Sequence, residues 1–356
     1  MIALVLHTPD LYGAGADAAE EILRDVFRVE KALDPLDADD FMTIVRRLSR
    51  ALRGVAGPAE DAALRRALDR LDVDWPNLAP GARDQVVRAA NQALRAVDDQ
   101  VLPQIDQLFE AEAEHVVGRA RRSTVRRFGL RIGADVTRTD ERIAKFVRES
   151  QGNFVRDEYG RRRDELAGRT KDIVASGVER GLGRDDIVAG LSQTMAREAF
   201  DRSRDYWEMV SMVFTNRART YVQLGAFEEA GVDRYRFEAV LDEVTSEVCR
   251  FMHGKVFTVE RAMGRFRDVE RARDPELIRD AQPFVQVGAD RDGNQVLFYE
   301  RGGRRRAVAQ VDEPAIGVRD EVGSYSRALS PAQLEAAGVT VPPLHGRCRS
   351  TIVAEV

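Results

Sequence analysis

The chain has 356 residues but only two cysteines and four histidines, and they are not scattered. His253 follows Cys249 by four positions, and His345 precedes Cys348 by three. Thiolate and imidazole are the ligands Zn²⁺ prefers, and two thiolates neutralise the ion. A site built from Cys249, His253, His345 and Cys348 would be closed. With four protein ligands no corner is left for water, so its work would be structural. It would pin the chain near residue 348 back onto the chain near residue 249. Two other readings stay open. A buried thiol packs as a small hydrophobe beside a histidine that satisfies a carbonyl, or the two cysteines pair as a disulfide in an oxidising compartment.

A second chemistry lies in GRARRSTVRRFGLR, residues 118–131. Arg119, Arg121, Arg122, Arg126, Arg127 and Arg131 come with no acid between them, the local density that phosphate contacts to double-stranded DNA need. The competing reading is a solvated helix face that pairs with acidic neighbours. Arg304, Arg305 and Arg306 follow a Gly-Gly turn, where edge-strand charge discourages aggregation. Trp207, among Tyr206, Met209, Val210 and Val213, has the spacing of a core residue rather than of a base-stacking platform. His7 and His115 have no partners in the sequence pattern. GLGRDD at 181–186 lacks the Gly-Lys-Ser/Thr of a phosphate loop, and neither GxSxG nor HExxH occurs.

Composition narrows the classes. A net charge of −5 excludes a globally basic polyanion binder, so DNA contact would need a local patch. Two cysteines are too few for a disulfide-stapled scaffold, and no apolar run approaches the roughly 20 residues of a membrane span. MIALVLHTPD has no basic lead and does not read as a signal peptide, so the expected setting is a reducing cytoplasm.

Periodicity supplies the elements that must position these residues. Ile22, Leu23, Val26, Phe27 and Leu33 share one helical face over 17–33. Asp37 caps a helix with the stripe Phe41, Ile44, Val45, Leu48 and Leu52 that is expected to end at Gly54. Another helix spans 58–72 up to Trp75-Pro76, and a longer one runs from about Pro80 to Phe128 with an interruption near Pro103. Helices resume near Asp140, are punctuated at Gly152 and at 181–183, and close with one long helix over 196–230. After Gly231 the texture changes. RYRFEAV reads as a strand, and three short strands between 284 and 311 are joined by Asp-Gly and Gly-Gly turns. The expected fold is therefore mainly α, a long-helix body followed by a small α+β C-terminal domain with a β-meander insertion. The divisions are 1–137, 138–235 and 236–356, with the insertion at about 260–340. The helical part is expected to fold without 236–356.

These motif residues also carry a likeness. Asp242, Thr245 and Cys249, then HGKVF at 253–257 with Gly254, and later PPLHGRCRS at 342–350 with Pro343 and Arg349, resemble the phage head morphogenesis family, which includes the Mu F-like minor head proteins. NRARTYVQLGAFEEAGVDRYRF, residues 216–237, is similar to that family's long helix leading into a short strand. The likeness covers 216–356, and residues 1–137 carry none of it. Ser246, Ser350 and Gly346 depart from the pattern, which often has cysteine, cysteine and proline there.

The resemblance implies a virion component present in few copies, built into the head after assembly in the host cytoplasm. It further implies association with the portal protein, with capsid or scaffold proteins and with packaged double-stranded DNA, and no membrane. Two alternatives of other classes stand beside it. One is a metal-dependent nuclease, with His253 or His345 as general base, Arg349 as phosphate clamp and Asp242 as metal ligand. The other is a toxin effector carrying a related domain.

Overall fold

In the computed structural model the described residues are 33–200 and 203–355. All of the helix expected over 17–33 except Leu33, and His7 with it, falls outside them. The chain forms two compact units that do not follow sequence order. One contains 47–108 and 155–207. The other contains 32–46, 109–154 and 208–356, so the boundary expected at 235 lies inside it.

Among the described residues the leading helical spans are α1 (Ala38–Leu71), α2 (Pro80–Arg127), α3 (Arg138–Glu179), α4 (Arg184–Phe200) and α5 (Ser203–Glu229). Asp37 caps α1 as expected, its carboxylate accepting the Asp39 and Asp40 N–H groups. Yet α1 passes through Gly54 and Pro58 without stopping. Its buried stripe continues through Ala51, Leu52, Ala56, Ala63, Leu64 and Ala67, and this packing outweighs one lost backbone hydrogen bond. Helix α2 likewise contains Pro103, and α3 runs through Gly152. The helix expected over 196–230 is described as α4 up to Phe200 and as α5 from Ser203, and residues 201 and 202 between them lie outside the described residues.

The first unit has a hydrocarbon core. Leu64, Ala67, Leu71, Trp75, Val87, Ala90, Val174, Ile187 and Leu191 pack together. Trp75, on a 3₁₀ turn, is fully buried and donates its indole N–H to Leu71 O at 3.0 Å. Gly177 of α3 is needed for this packing, since a Cβ there would sit 2.7 Å from Ile187.

The second unit adds a mixed α+β part: β1 (Arg234–Glu238), α6 (Glu247–Met252), β2 (Val256–Thr258), α7 (Val259–Val269), α8 (Pro275–Ala281), β3 (Val285–Ala289), β4 (Gln295–Arg301), β5 (Arg304–Glu313), β6 (Ser324–Ser326), α9 (Pro331–Ala337) and β7 (Thr351–Glu355). Strands β2-β1-β7 form one antiparallel sheet, in which Tyr235 lies opposite both Phe257 and Ala354. Tyr235 and Phe237, two apart on β1, face the core, as period-2 alternation requires. The meander forms a second sheet, β3-β4-β5-β6, turning at Gly293 and at Gly302-Gly303. The expected insertion is an excursion that leaves after β2 and returns before β7.

Helix α5 is buried on nearly every side, and three of its polar residues hold the segment leading into β7. Asn216 Nδ2 donates to Cys348 O at 2.6 Å, Arg219 Nη2 to Arg349 O and Ser350 O at 2.6 Å each, and Gln223 Nε2 to Ile352 O at 2.9 Å. Arg219 Nη1 also donates to Pro35 O at 3.1 Å, and its guanidinium lies over the Phe41 ring. Positions 216, 219 and 223 share one helix face. Each side chain supplies a donor to a backbone carbonyl. Burial lowers the Arg219 pKa to about 10, which leaves it charged at neutral pH.

Candidate metal centre

Helix α6 is six residues long and wholly buried. Ser246 caps it by accepting the Cys249 N–H at 3.3 Å. That cap orients the first turn so that Cys249 faces the loop before β7. On that loop, Pro343 follows a cis peptide bond, and His345 and Cys348 come next. The Cys348 N–H closes a turn onto His345 O at 3.2 Å, while Asn216 takes the Cys348 carbonyl from the other side.

The result is a Cys-His-Cys group whose ligand atoms all lie within 4.8 Å of one another, an arrangement able to hold a metal ion. Cys249 Sγ is 3.7 Å from Cys348 Sγ and 3.1 Å from His345 Nε2. Both cysteines are free and buried, while His345 is half-buried. Ser246 Oγ, 2.9 Å from His345 Nε2, is a further oxygen donor at the edge of the cluster.

The two thiols are unlike in acidity. The hydrogen bond with Cys348 and burial push Cys249 well above the ordinary thiol value. Burial also acts to raise Cys348, but the Cys249 hydrogen bond and the charge of His345 outweigh it and bring Cys348 well below that value. The first proton leaves the pair easily and the second with difficulty, which is the behaviour of two sulfurs sharing one proton.

Three of the four residues expected at the metal therefore meet, and His253 does not join them. It caps the C-terminal end of α6, where its Nδ1 accepts the Ala239 N–H at 3.1 Å. Residues four apart are neighbours on a helix, but His253 stands at the C-cap, where the helix has ended, and its ring turns to the Ala239 N–H instead. Gly254 takes the next, left-handed position (φ 78°), where glycine adds no Cβ strain, and its N–H reaches Phe237 O at 2.9 Å.

Beside the cluster, the other motif residues form a second knot. Arg349 Nη2 donates to Asp242 Oδ1 at 2.6 Å, and the Thr245 hydroxyl lies 2.7 Å from the same oxygen. The Asp242 N–H in turn donates to Thr245 Oγ1 at 2.9 Å. The Arg349 hydrogen bond holds the Asp242 pKa down at about 2. In the nuclease alternative these two residues serve a metal and a phosphate; here each is bound to the other.

The arginine stretch is divided. Arg121 is buried, donating twice to Gly133 O and pairing with Glu229 and, at 3.9 Å, with Asp140. Arg119 is half-buried, and Arg127, though exposed, donates to Leu36 O. Arg122, Arg126 and Arg131 are exposed, with Arg126 3.7 Å from Asp34. The helix period decides which of the five on α2 face inward, and a count of charges does not show it.

Sequence reasoning passed over Asn216, Arg219, Gln223, Glu247 and Arg250. One signal was present in α5: Asn216, Arg219 and Gln223 recur at i, i+3 and i+7, on one helix face. No protein-family model, curated protein or solved structure matches this chain.

Proposed function

We propose that this chain is a minor head protein of a tailed phage, associated with the portal, whose C-terminal module is closed by one zinc ion. One observation carries the reading. The residues behind the family resemblance are separated by about a hundred positions, yet Asp242, Thr245, Cys249, His345, Cys348 and Arg349 converge on a single locus. A chance string of matches has no reason to converge.

Zinc fits the donors. Two thiolates on a tetrahedral ion with arms of about 2.3 Å stand about 3.8 Å apart, and the sulfurs are 3.7 Å apart. Cys249, Cys348 and His345 would hold the ion, with Ser246 facing the remaining corner. When bound, zinc would supply a cross-link rather than a reaction. In this reading contact with packaged double-stranded DNA falls to Arg122, Arg126 and Arg131, and the docking surfaces for portal, capsid or scaffold proteins to the helices.

The test is to image heads and purified portals from cells making the phage that encodes the chain. Density and mass-spectrometric signal at the portal vertex are expected. Absence from both procapsids and mature heads would overturn the reading.

A further inference from the structure

Five of the large hydrophobic residues exposed in the structure come from two short loops. Val240 and Val244 lie between β1 and α6, and Ile316, Val318 and Val322 between β5 and β6. Val244 is 76% exposed and Ile316 is 61% exposed. The loops are joined by backbone bonds from Gly317 N to Glu243 O at 3.0 Å and from Asp320 N to Leu241 O at 3.2 Å. The five residues therefore lie on two adjoining loops.

The loops are also held from beneath by two buried charged residues of α6. Glu247 Oε1 accepts the Ala315 and Ile316 N–H groups at 2.9 and 2.7 Å. Arg250 donates to Thr245 O at 3.1 Å, to Asp242 O at 2.5 Å and to Glu321 O. Asp320 adopts a left-handed backbone, φ 62°, which a non-glycine residue takes at a cost. Buried charges and backbone strain are thus invested in fixing loops whose outward side chains gain nothing from folding alone. An apolar patch of this kind marks an interaction surface.

Charge selects the occupant. Glu243 holds Arg319 through two hydrogen bonds of 3.0 Å, while Asp320 and Glu321 form no salt bridge among the described residues. The rim is acidic. It would repel a second copy of itself, a nucleic acid or an anionic membrane. We infer that this patch docks a protein segment with aliphatic side chains at its centre and lysine or arginine at its edge. The inference uses only this surface and stands apart from the head-protein reading.

The test is fluorescence anisotropy of the full chain with a labelled amphipathic peptide of leucine and lysine, and with its leucine–glutamate counterpart. The basic peptide should bind and the acidic one should not. Val244→Ser with Ile316→Ser should weaken binding by about tenfold or more; both sites are exposed, so the fold should survive, which circular dichroism checks. Leu277→Ser, at an exposed apolar residue outside the patch, should change nothing. Asp320→Asn with Glu321→Gln should flatten the salt dependence while leaving apolar binding in place. Equal binding by wild type and the serine variant would reduce the attraction to net charge and overturn the proposal, as would failure to bind the basic peptide at all.

Discussion

The two units solve the same problem with different chemistry. The unit built on Trp75 closes around leucine, valine, isoleucine and alanine, and its cohesion comes from hydrocarbon contact. The unit carrying the cysteines has an apolar core too, but its segments are joined by buried polar groups: Arg219 and Gln223 against carbonyls, Glu247 and Arg250 against loop backbones, sulfur against imidazole. Hydrocarbon contact is tolerant, because a neighbour can shift to fill a gap. A buried polar joint is not, because each lost donor strands an acceptor. The first unit should therefore degrade gradually under substitution and the second should fail at single points.

Trp75 lies in the core of the first unit, whereas Trp207 is that unit's last residue, on a helix that continues into the second, so in a Trp207→Phe background indole fluorescence reports the first unit only. The largest effect expected is metal removal. One zinc per chain should co-purify by elemental analysis, and Cys348→Ser should release it. In metal-bound peptides such an ion contributes on the order of 10 kcal/mol, so chelation should unfold the sheet-bearing unit by circular dichroism and leave indole emission unmoved. Next comes Arg219→Met, expected to cost about 3–5 kcal/mol by urea denaturation because three carbonyls lose a charged donor. Leu64→Ala in the hydrocarbon core should cost about 2–4 kcal/mol and shift the fluorescence transition instead. If both variants move both signals equally, the two cores are not separable.

Asp242→Asn should cost about 1–2 kcal/mol through its bond to Arg349. Its pH signature has a definite sign. The folded carboxyl titrates near 2, below the free value of about 4. The stabilisation is therefore full above pH 4 and is lost as pH falls towards 2, so wild type and variant should converge in acid. The smallest effect is expected from His253→Ala, about 1 kcal/mol for one lost hydrogen bond, with zinc content unchanged. His345→Ala should lower zinc content sharply. A drop in zinc with His253→Ala would return that residue to the metal.

Much of this contrast could be read in advance, though unevenly. Apolar periodicity located α1, α2 and α5, and turn residues located the meander, because burying hydrocarbon leaves a repeating trace in sequence. Gly54, Pro58 and Gly152 misled because local propensity yields to a continuous buried stripe. At the cluster, residue types pointed to Cys249, His345 and Cys348. They could not separate His345 from His253, since that depends on which way one short helix turns. The polar residues of α5 were missed because their acceptors are carbonyls more than a hundred residues away, which no local window contains.

That separation bears on how the protein is made. Asn216, Arg219 and Gln223 leave the ribosome about 130 residues before the carbonyls they serve. Until then only the Pro35 carbonyl, of those these three residues meet, is already in the chain. Contacts this distant in the chain close slowly, so α5 leaves its apolar surface uncovered until residues 348–352 arrive, and a shortened product would stay prone to aggregation.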